Sequence, residues 1–200
     1  MKKIKFLPSI TTVTMEKGKV GDWKSMVEEV DRFKLKEIGL FPTGLSGKEQ
    51  RYRLYEALKK TSLEKILFVH LMTEMEPEEL DYLVENFHTE VFNLHATANW
   101  PLIYDYSKYA SRIFIENGKT VPTEEELQKF GGMCLDFAHW ENMIRLGNEE
   151  YDSLMRQRLK KFPVGICHLS PMVDEPIPNP FVPQIIQYDT HLLDDIEQLE

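Results

Sequence analysis

The chain has 200 residues, of which 42% are hydrophobic and 28% are charged, and its formal net charge at pH 7 is −9. This balance is typical of a folded globular protein and disfavours intrinsic disorder. The negative charge disfavours duplex nucleic acid as a partner, because such binding depends on Lys and Arg neutralising phosphates. No apolar run approaches the roughly 18 residues of a membrane-spanning helix, so we expect a soluble, cytoplasmic protein without a membrane partner. Cys134 and Cys167 lie in apolar runs, which predicts reduced core thiols.

Short apolar runs alternate with amphipathic charged stretches along the chain. Continuous apolar runs are typical of parallel strands that are covered on both faces. The predicted strands are Ile4–Ile10, Glu37–Phe41, Lys65–Leu71, Val91–His95, Arg112–Glu116, Met133–Phe137 and Val164–Leu169.

Helices are predicted between and after these strands from capping residues and apolar spacing. They are Asp22–Lys34, Arg51–Lys60 after a capping box at Ser46–Glu49, a helix opened by Glu76 and Pro77, a helix after a second capping box at Thr123–Glu126, Glu141–Lys161 with an interruption near Gly147, and Asp189–Glu200. The segment Pro171–Pro183 contains five prolines and is predicted to be a long loop.

Seven successive β-then-α units predict an α/β fold, a TIM-type (β/α) barrel formed by residues 1–200 as a single domain. Strand eight of such a barrel is missing or not identifiable in this chain. A doubly wound open sheet is the competing architecture, and the alternation alone leaves both open. The phosphate-loop and dinucleotide fingerprints that would favour it are absent, since Gly131 and Gly132 precede a strand instead of following one.

Imidazoles and carboxylates recur at the predicted carboxyl ends of five strands, where barrel enzymes carry their functional residues. Burying unpaired charges is costly, and a shared cation would offset that cost. Carboxylate oxygens and neutral imidazoles bind zinc, manganese or magnesium, so the sequence predicts a divalent metal site. The five residues are His70, His95, Glu116, Asp136 and His168.

Two short pairs, Asp136 with His139 and Asp189 with His191, add further candidates. His139 follows the strand end and could bind a second metal ion, hydrogen-bond a substrate or make a loop contact. In an extended segment Asp189 and His191 face the same side. If they begin the last helix instead, Asp189 is its N-cap.

At these residues the chain resembles the xylose isomerase-like TIM barrels, which include sugar isomerases, sugar-phosphate epimerases and endonuclease IV. The family pattern has Glu on strand five, Asp-x-x-His after strand six, His on strand seven and Glu on strand eight. The first four places are matched in order by Glu116, Asp136, His139 and His168. The endonuclease IV branch adds a His on each of two earlier strands and an Asp-x-His after strand seven, places that fall on His70, His95, Asp189 and His191. No counterpart of the strand-eight Glu is identified.

The resemblance implies a metal-dependent isomerase or epimerase acting on a small sugar or sugar phosphate. In that function Glu116 and His139 would be the catalytic residues, and all eight matched residues would be metal ligands. One alternative is an endonuclease IV-like, multi-zinc phosphoester hydrolase, which the ligand set favours and the acidic charge disfavours. Another is a non-catalytic metal-binding barrel, which the missing eighth strand favours. The sequence leaves assembly into a homo-oligomer open.

Overall fold

The computed structural model describes residues 4–12, 23–98, 100–179 and 182–190. The chain forms two compact units, one of Met1–Phe92 with Ile103–Asp105 and the other of Asn93–Leu102 with Tyr106–Glu200. A single domain over residues 1–200 stays a prediction. Among the described residues, no helix has the length and apolar content that crossing a bilayer requires.

The first unit alternates strands and helices from its amino end. β1 pairs with β2 and β2 with β3, all in parallel. β2 and β3 are buried along nearly their whole length, which explains why their sequences are continuous apolar runs. The elements are β1 (Ser9–Thr11), α1 (Trp23–Arg32), β2 (Glu37–Phe41), α2 (Lys48–Leu58), β3 (Lys65–His70) and α3 (Pro77–Phe87).

The start of α3 confirms one helix signal, whereas the start of α2 contradicts another. Pro77 occupies the first turn of α3, where its missing N–H costs no hydrogen bond. α2 begins directly after Gly47, whose extended backbone is the N-cap and which offers no side-chain hydrogen bond. The predicted capping box at Ser46–Glu49 is therefore wrong, because Ser46 lies one residue too early to cap this helix.

A buried ion pair joins α2 to α3. Arg51 donates from Nε and a terminal nitrogen to both carboxylate oxygens of Glu79, at 2.7 and 2.8 Å. The Tyr55 hydroxyl donates to the same carboxylate at 2.8 Å, and Arg51 also donates to the carbonyl of Leu45 at 3.1 Å. The side chains of Arg51 and Glu79 are 1% and 0% exposed, so this network lies inside the unit.

The second unit carries the remaining strands of the parallel sheet and a separate hairpin. β5 pairs with β6 and β6 with β7, in parallel. β4 (Val91–His95) begins in the first unit and ends in the second. The other elements are a short 3-10 helix (Ser107–Arg112), β5 (Ile113–Glu116), α4 (Glu124–Lys129), β6 (Met133–Asp136), α5 (Phe137–Arg145), α6 (Glu149–Lys161), β7 (Val164–His168), β8 (Met172–Pro178) and β9 (Ile186–Asp189).

Two helix signals of this unit are confirmed, but the predicted start of the long helix at Glu141 is wrong, because Asp136 caps α5 and the helix begins at Phe137. Thr123 and Glu126 form a reciprocal capping box at the start of α4. Burial raises the pKa of the Glu126 carboxyl, but hydrogen bonds from Thr97 and Thr123 outweigh it and hold the pKa below its ordinary value. The predicted interruption of the long helix separates α5 from α6 at Gly147, whose φ of 77° suits glycine.

The prediction of a closed TIM-type barrel is wrong. The large sheet has the sequential order β1 to β7, and within the described residues β1 and β7 are not paired, so the sheet is open. In a doubly wound sheet the strand order reverses at one point, whereas here the strands follow one another in chain order without a reversal. Only residues 169–171 separate β7 from β8, which is too few for the crossover of about a dozen residues that a parallel eighth strand needs. β8 pairs with β9 in an antiparallel hairpin instead.

This hairpin also overturns two local predictions. Residues 172–178 of the predicted loop form β8, which tolerates Pro176 and Pro178 because one edge of a two-stranded sheet needs no N–H donors. Asp189 ends β9, so the predicted last helix does not begin at Asp189, and its remaining part, residues 191–200, lies outside the described residues. Cys134 is buried as predicted, but Cys167 is exposed because β7 is the last strand of the sheet order.

Candidate metal centre

Three predicted site residues lie at the carboxyl ends of adjacent parallel strands. Glu116 ends β5, Asp136 ends β6 and His168 ends β7. The strand register places Asp136 opposite His168. It places Glu116 opposite Cys134, which precedes Asp136 by two residues in β6. All three site residues are buried, with exposures of 2%, 0% and 8% in chain order.

One donor atom from each of these side chains faces the others. Nδ1 of His168 lies 3.3 Å from Oε1 of Glu116 and 3.5 Å from Oδ2 of Asp136. The imidazole therefore stands between two buried carboxylates. Such a cluster needs positive charge nearby, because two buried anions would otherwise repel each other and lack solvation.

The remaining polar atoms of the same three side chains are held by the protein. Oε2 of Glu116 accepts a hydrogen bond from Nδ2 of Asn93. Oδ1 of Asp136 accepts the backbone N–H of His139 at 2.8 Å, which makes Asp136 the N-cap of α5. Nε2 of His168 lies 3.4 Å from Sγ of Cys134. Each ligand candidate thus directs one atom to the centre and has its other atom occupied.

The ionisation of these groups reflects their burial and their neighbours. Burial opposes the imidazolium of His168, but Cys134, Glu116 and Asp136 outweigh it and raise its pKa above the ordinary value. Burial raises the pKa of the Cys134 thiol to about 12. A positive charge at Nδ1 is therefore favoured here, and a proton or a metal ion can supply it.

The donor set fits a divalent metal ion. Two carboxylate oxygens and an imidazole nitrogen are donors that zinc and manganese accept. His139 enlarges the set, since donor atoms of Glu116, Asp136 and His139 lie within 4.8 Å of one another. These residues would hold the ion, with the hydrogen bonds from Asn93 and His139 orienting the carboxylates as in known metal sites.

His139 lies beside another predicted residue, Asp189. Capping by Asp136 places His139 in the first turn of α5, and β9 is fixed to this helix by a 2.7 Å hydrogen bond from the Tyr188 N–H to Asn142 Oδ1. Nδ1 of His139 is consequently 3.8 Å from Oδ2 of Asp189. His191, the partner predicted for Asp189, lies outside the described residues.

The two histidines of the earlier strands have different surroundings. Nε2 of His95, at the end of β4, is 3.8 Å from Oε1 of Glu116, and its side chain is 37% exposed. His70 ends β3 in the first unit, where it is buried. Its Nδ1 lies 3.0 Å from the carbonyl of Leu71, and its ring contacts Phe41 with centroids 5.3 Å apart. Within the second unit, the structure therefore brings together His95, Glu116, Asp136, His139, His168 and Asp189.

Three residues that support this cluster were not identified from the sequence. Asn117 exchanges two hydrogen bonds with the backbone of Asp136, at 2.8 and 2.9 Å, and so fixes the end of β6. Asn93 and Cys134 hold Glu116 and His168, as described above. A signal for two of them was present in the sequence, because Asn93 and Cys134 each precede a site residue by two positions and so share its face of the strand.

Comparison with protein-family models, with curated proteins and with solved structures finds no match to this chain. The resemblance to the xylose isomerase-like barrels therefore stays a prediction carried by the spacing of the site residues.

Proposed function

We propose that the chain binds a divalent metal ion at Glu116, Asp136 and His168 and is an isomerase or epimerase of a small sugar or sugar phosphate. The observation that supports it best is the convergence of Oε1, Oδ2 and Nδ1 from three adjacent strand ends. A structural ion pair would explain Glu116 beside the imidazole, and helix capping explains Oδ1 of Asp136. Neither explains why Oδ2 of Asp136 also faces Nδ1 of His168, an arrangement that a cation of higher charge would stabilise.

In this proposal the protein's own side chains orient the substrate and carry protons. A bound divalent ion supplies Lewis-acid polarisation of substrate oxygens. Asn93 donates to Oε2 of Glu116, whereas Oε1 faces Nδ1 of His168, where the ion or a proton would bind. His139, whose side chain is 25% exposed, stands where a substrate hydroxyl can reach it and would exchange protons with it.

The charge and the cysteines support a small, polar substrate in the cytoplasm. A net charge of −9 opposes binding to the phosphates of duplex nucleic acid. A single sugar, or one sugar phosphate, needs no extended basic surface. Both cysteines are free, which suits the reducing cytoplasm.

Metal binding is tested by D136N and E116Q, measured by metal analysis and by competition with a chromogenic chelator. Asparagine caps helices as well as aspartate, so D136N keeps the start of α5 while removing the anionic donor. We expect both variants to lose the metal, and D174N, an exposed change on β8, to keep it. Full metal content and unchanged affinity in D136N and E116Q would refute the site.

Isomerase activity is tested with the metal-loaded protein by incorporation of solvent deuterium into a panel of aldoses, ketoses and their phosphates. Deuterium exchange beside the carbonyl detects proton abstraction even when the natural sugar is absent from the panel. We expect exchange that H139A reduces by about 10²- to 10⁴-fold, the range of general acid–base catalysis. Tight metal binding with neither deuterium exchange nor conversion of any sugar to its isomer would contradict the isomerase and favour a non-catalytic metal protein.

A second candidate is a multi-zinc phosphoester hydrolase, which the contact between His139 and Asp189 favours. That pair lies 3.8 Å apart beside the first three ligands, and His95 adds a further imidazole near Glu116. In this case the wild type would bind more than one zinc ion, H139A would lose one of them, and the zinc protein would hydrolyse a simple phosphodiester. Binding of one ion, with no phosphodiester turnover, would exclude it.

A further inference from the structure

Two buried side chains lie one strand layer below the candidate ligands. Asn93 precedes His95 by two residues in β4, and Cys134 precedes Asp136 by two residues in β6. Residues two apart in a strand face the same side, so Asn93 and Cys134 lie beneath the site. Both are 0% exposed.

Each of these side chains contacts one ligand at the atom opposite the centre. Nδ2 of Asn93 donates to Oε2 of Glu116, and Sγ of Cys134 lies 3.4 Å from Nε2 of His168. Oδ1 of Asn93 is buried and has no hydrogen-bond partner among the described residues. The hydrogen bond from Nδ2 fixes the orientation of the Asn93 amide, because a 180° rotation would place Oδ1 against the carboxylate oxygen of Glu116.

His168 could bind a metal ion through either ring nitrogen. Nδ1 would bind it together with the carboxylates, and Nε2 would bind it together with the Cys134 thiolate. Donor atoms of Glu116, Cys134 and His168 also lie within 4.8 Å of one another, so a thiolate site is geometrically open. In that site Nε2, which lies 3.4 Å from Sγ, would be the imidazole donor beside the thiolate. Nδ1 faces two carboxylates, at 3.3 and 3.5 Å, and therefore has the stronger attraction for a cation.

We propose that Cys134 and Asn93 are positioning residues, which commit Nδ1 of His168 and Oε1 of Glu116 to the metal ion. Cys134 accepts the Nε2–H of His168 and so selects the tautomer whose Nδ1 lone pair faces the carboxylates. Asn93 donates to Oε2 of Glu116 and leaves Oε1 as the donor. This inference rests on the proposed metal function and assigns which atoms bind.

The test compares C134A with C134S, and both with C167A. Serine retains a hydrogen-bond acceptor in nearly the same volume, whereas alanine removes it; C167A removes the exposed thiol of the neighbouring strand. Zinc affinity is measured by competition with a chelator. Loss of such an outer hydrogen bond weakens metal binding by about 10- to 100-fold, so we expect that loss in C134A, recovery in C134S and no change in C167A.

If the substitutions acted only by destabilising the fold, zinc affinity would follow stability, and C134S would bind zinc more weakly than C134A. A buried serine is desolvated more unfavourably than alanine, so C134S should unfold at a lower temperature than C134A while binding zinc more tightly. Nitrogen NMR of the zinc-loaded wild type should show His168 protonated at Nε2 and metal-bound at Nδ1. N93D, which replaces the donor amide by an acceptor beside Glu116, should weaken zinc by a similar factor.

The outcomes separate the two proposals. If the wild type binds no metal, the proposed function fails. If the wild type binds zinc and C134A binds it equally well, the positioning role of Cys134 is overturned. A thiolate-to-metal absorption band in the cobalt-loaded wild type that disappears in C134S would make Cys134 a ligand and overturn the assignment to Nδ1.

Discussion

The buried ion pair between α2 and α3 gives the sharpest stability prediction. Glu79→Gln removes the negative charge that faces Arg51 while keeping the size of the side chain. Arg51 would remain 1% exposed, with its bidentate partner replaced by a neutral amide. The Tyr55 hydroxyl would also lose its charged acceptor.

The magnitude follows from what remains around Arg51. Breaking a buried pair by neutralising one partner costs about 3–5 kcal/mol, because the other charge stays buried. Glu74 lies 3.8 Å from Arg51, but its side chain is 40% exposed and offsets only part of the loss. We therefore expect E79Q to lower the free energy of unfolding by about 3 kcal/mol, the lower end of that range.

Urea denaturation followed by circular dichroism measures this loss. With a slope of about 2 kcal/mol/M, typical of small proteins, the midpoint of unfolding should shift down by roughly 1.5 M. Glu49→Gln is the matched control, because the Arg53–Glu49 pair has a contact of 2.6 Å but side chains 66% and 80% exposed. That change should cost about 0.5 kcal/mol or less.

The double variant R51M/E79L provides the second measurement. Replacing a whole buried pair by apolar residues is often neutral or stabilising, so it should recover part of the loss of E79Q. The remainder is the cost of leaving the Tyr55 hydroxyl and the Leu45 carbonyl without these partners. Equal midpoint shifts in E79Q and E49Q would refute the buried charge of Arg51 as the cause. A double variant less stable than E79Q would refute it as well.

Three further predictions test the second unit. The lowered pKa of Glu126 stabilises the fold above the unfolded-state value of 4.5 and ceases to do so as pH falls through the folded-state pKa, so E126Q should flatten the acid limb of stability against pH. Gly132→Ala should destabilise by more than 1 kcal/mol in thermal unfolding, because its φ is 120° and a Cβ would strike the backbone oxygen of Pro163, whereas Gly147→Ala, at φ 77° in open space, should cost only about 1 kcal/mol. Removing metal with a chelator should lower the melting temperature of the wild type but not of D136N, since a ligand at 100 times its Kd adds about 2.7 kcal/mol; equal shifts would contradict binding at Asp136.

The strands that carry the site could be predicted from the sequence because their cause is local. The apolar runs predict Arg112–Glu116, Met133–Phe137 and Val164–Leu169, each bound within one residue of the observed β5, β6 and β7. The polar residue that ends a run marks the carboxyl edge of a parallel sheet, which explains why Glu116, Asp136 and His168 meet.

Other features depend on relations between distant parts of the chain. Barrel closure requires the first and last strands to pair, and no local pattern encodes whether they do. The support of His168 by Cys134 depends on the register of β6 against β7, which shifts between Met133 and Cys134. The prolines after β7 predicted a loop, but a strand of a two-stranded sheet can contain proline because its outer edge donates no hydrogen bonds to another strand.

Asp136 has two duties, and this affects how homologous sequences should be interpreted. One of its oxygens begins a helix, so a copy of this chain that had lost its ion would still be selected to keep Asp or Asn at position 136. Glu116 lies at a strand end and caps no described helix, and burying a carboxylate there is unfavourable without a cation. An apolar residue in place of Glu116 would therefore indicate a homologue that no longer binds the metal ion.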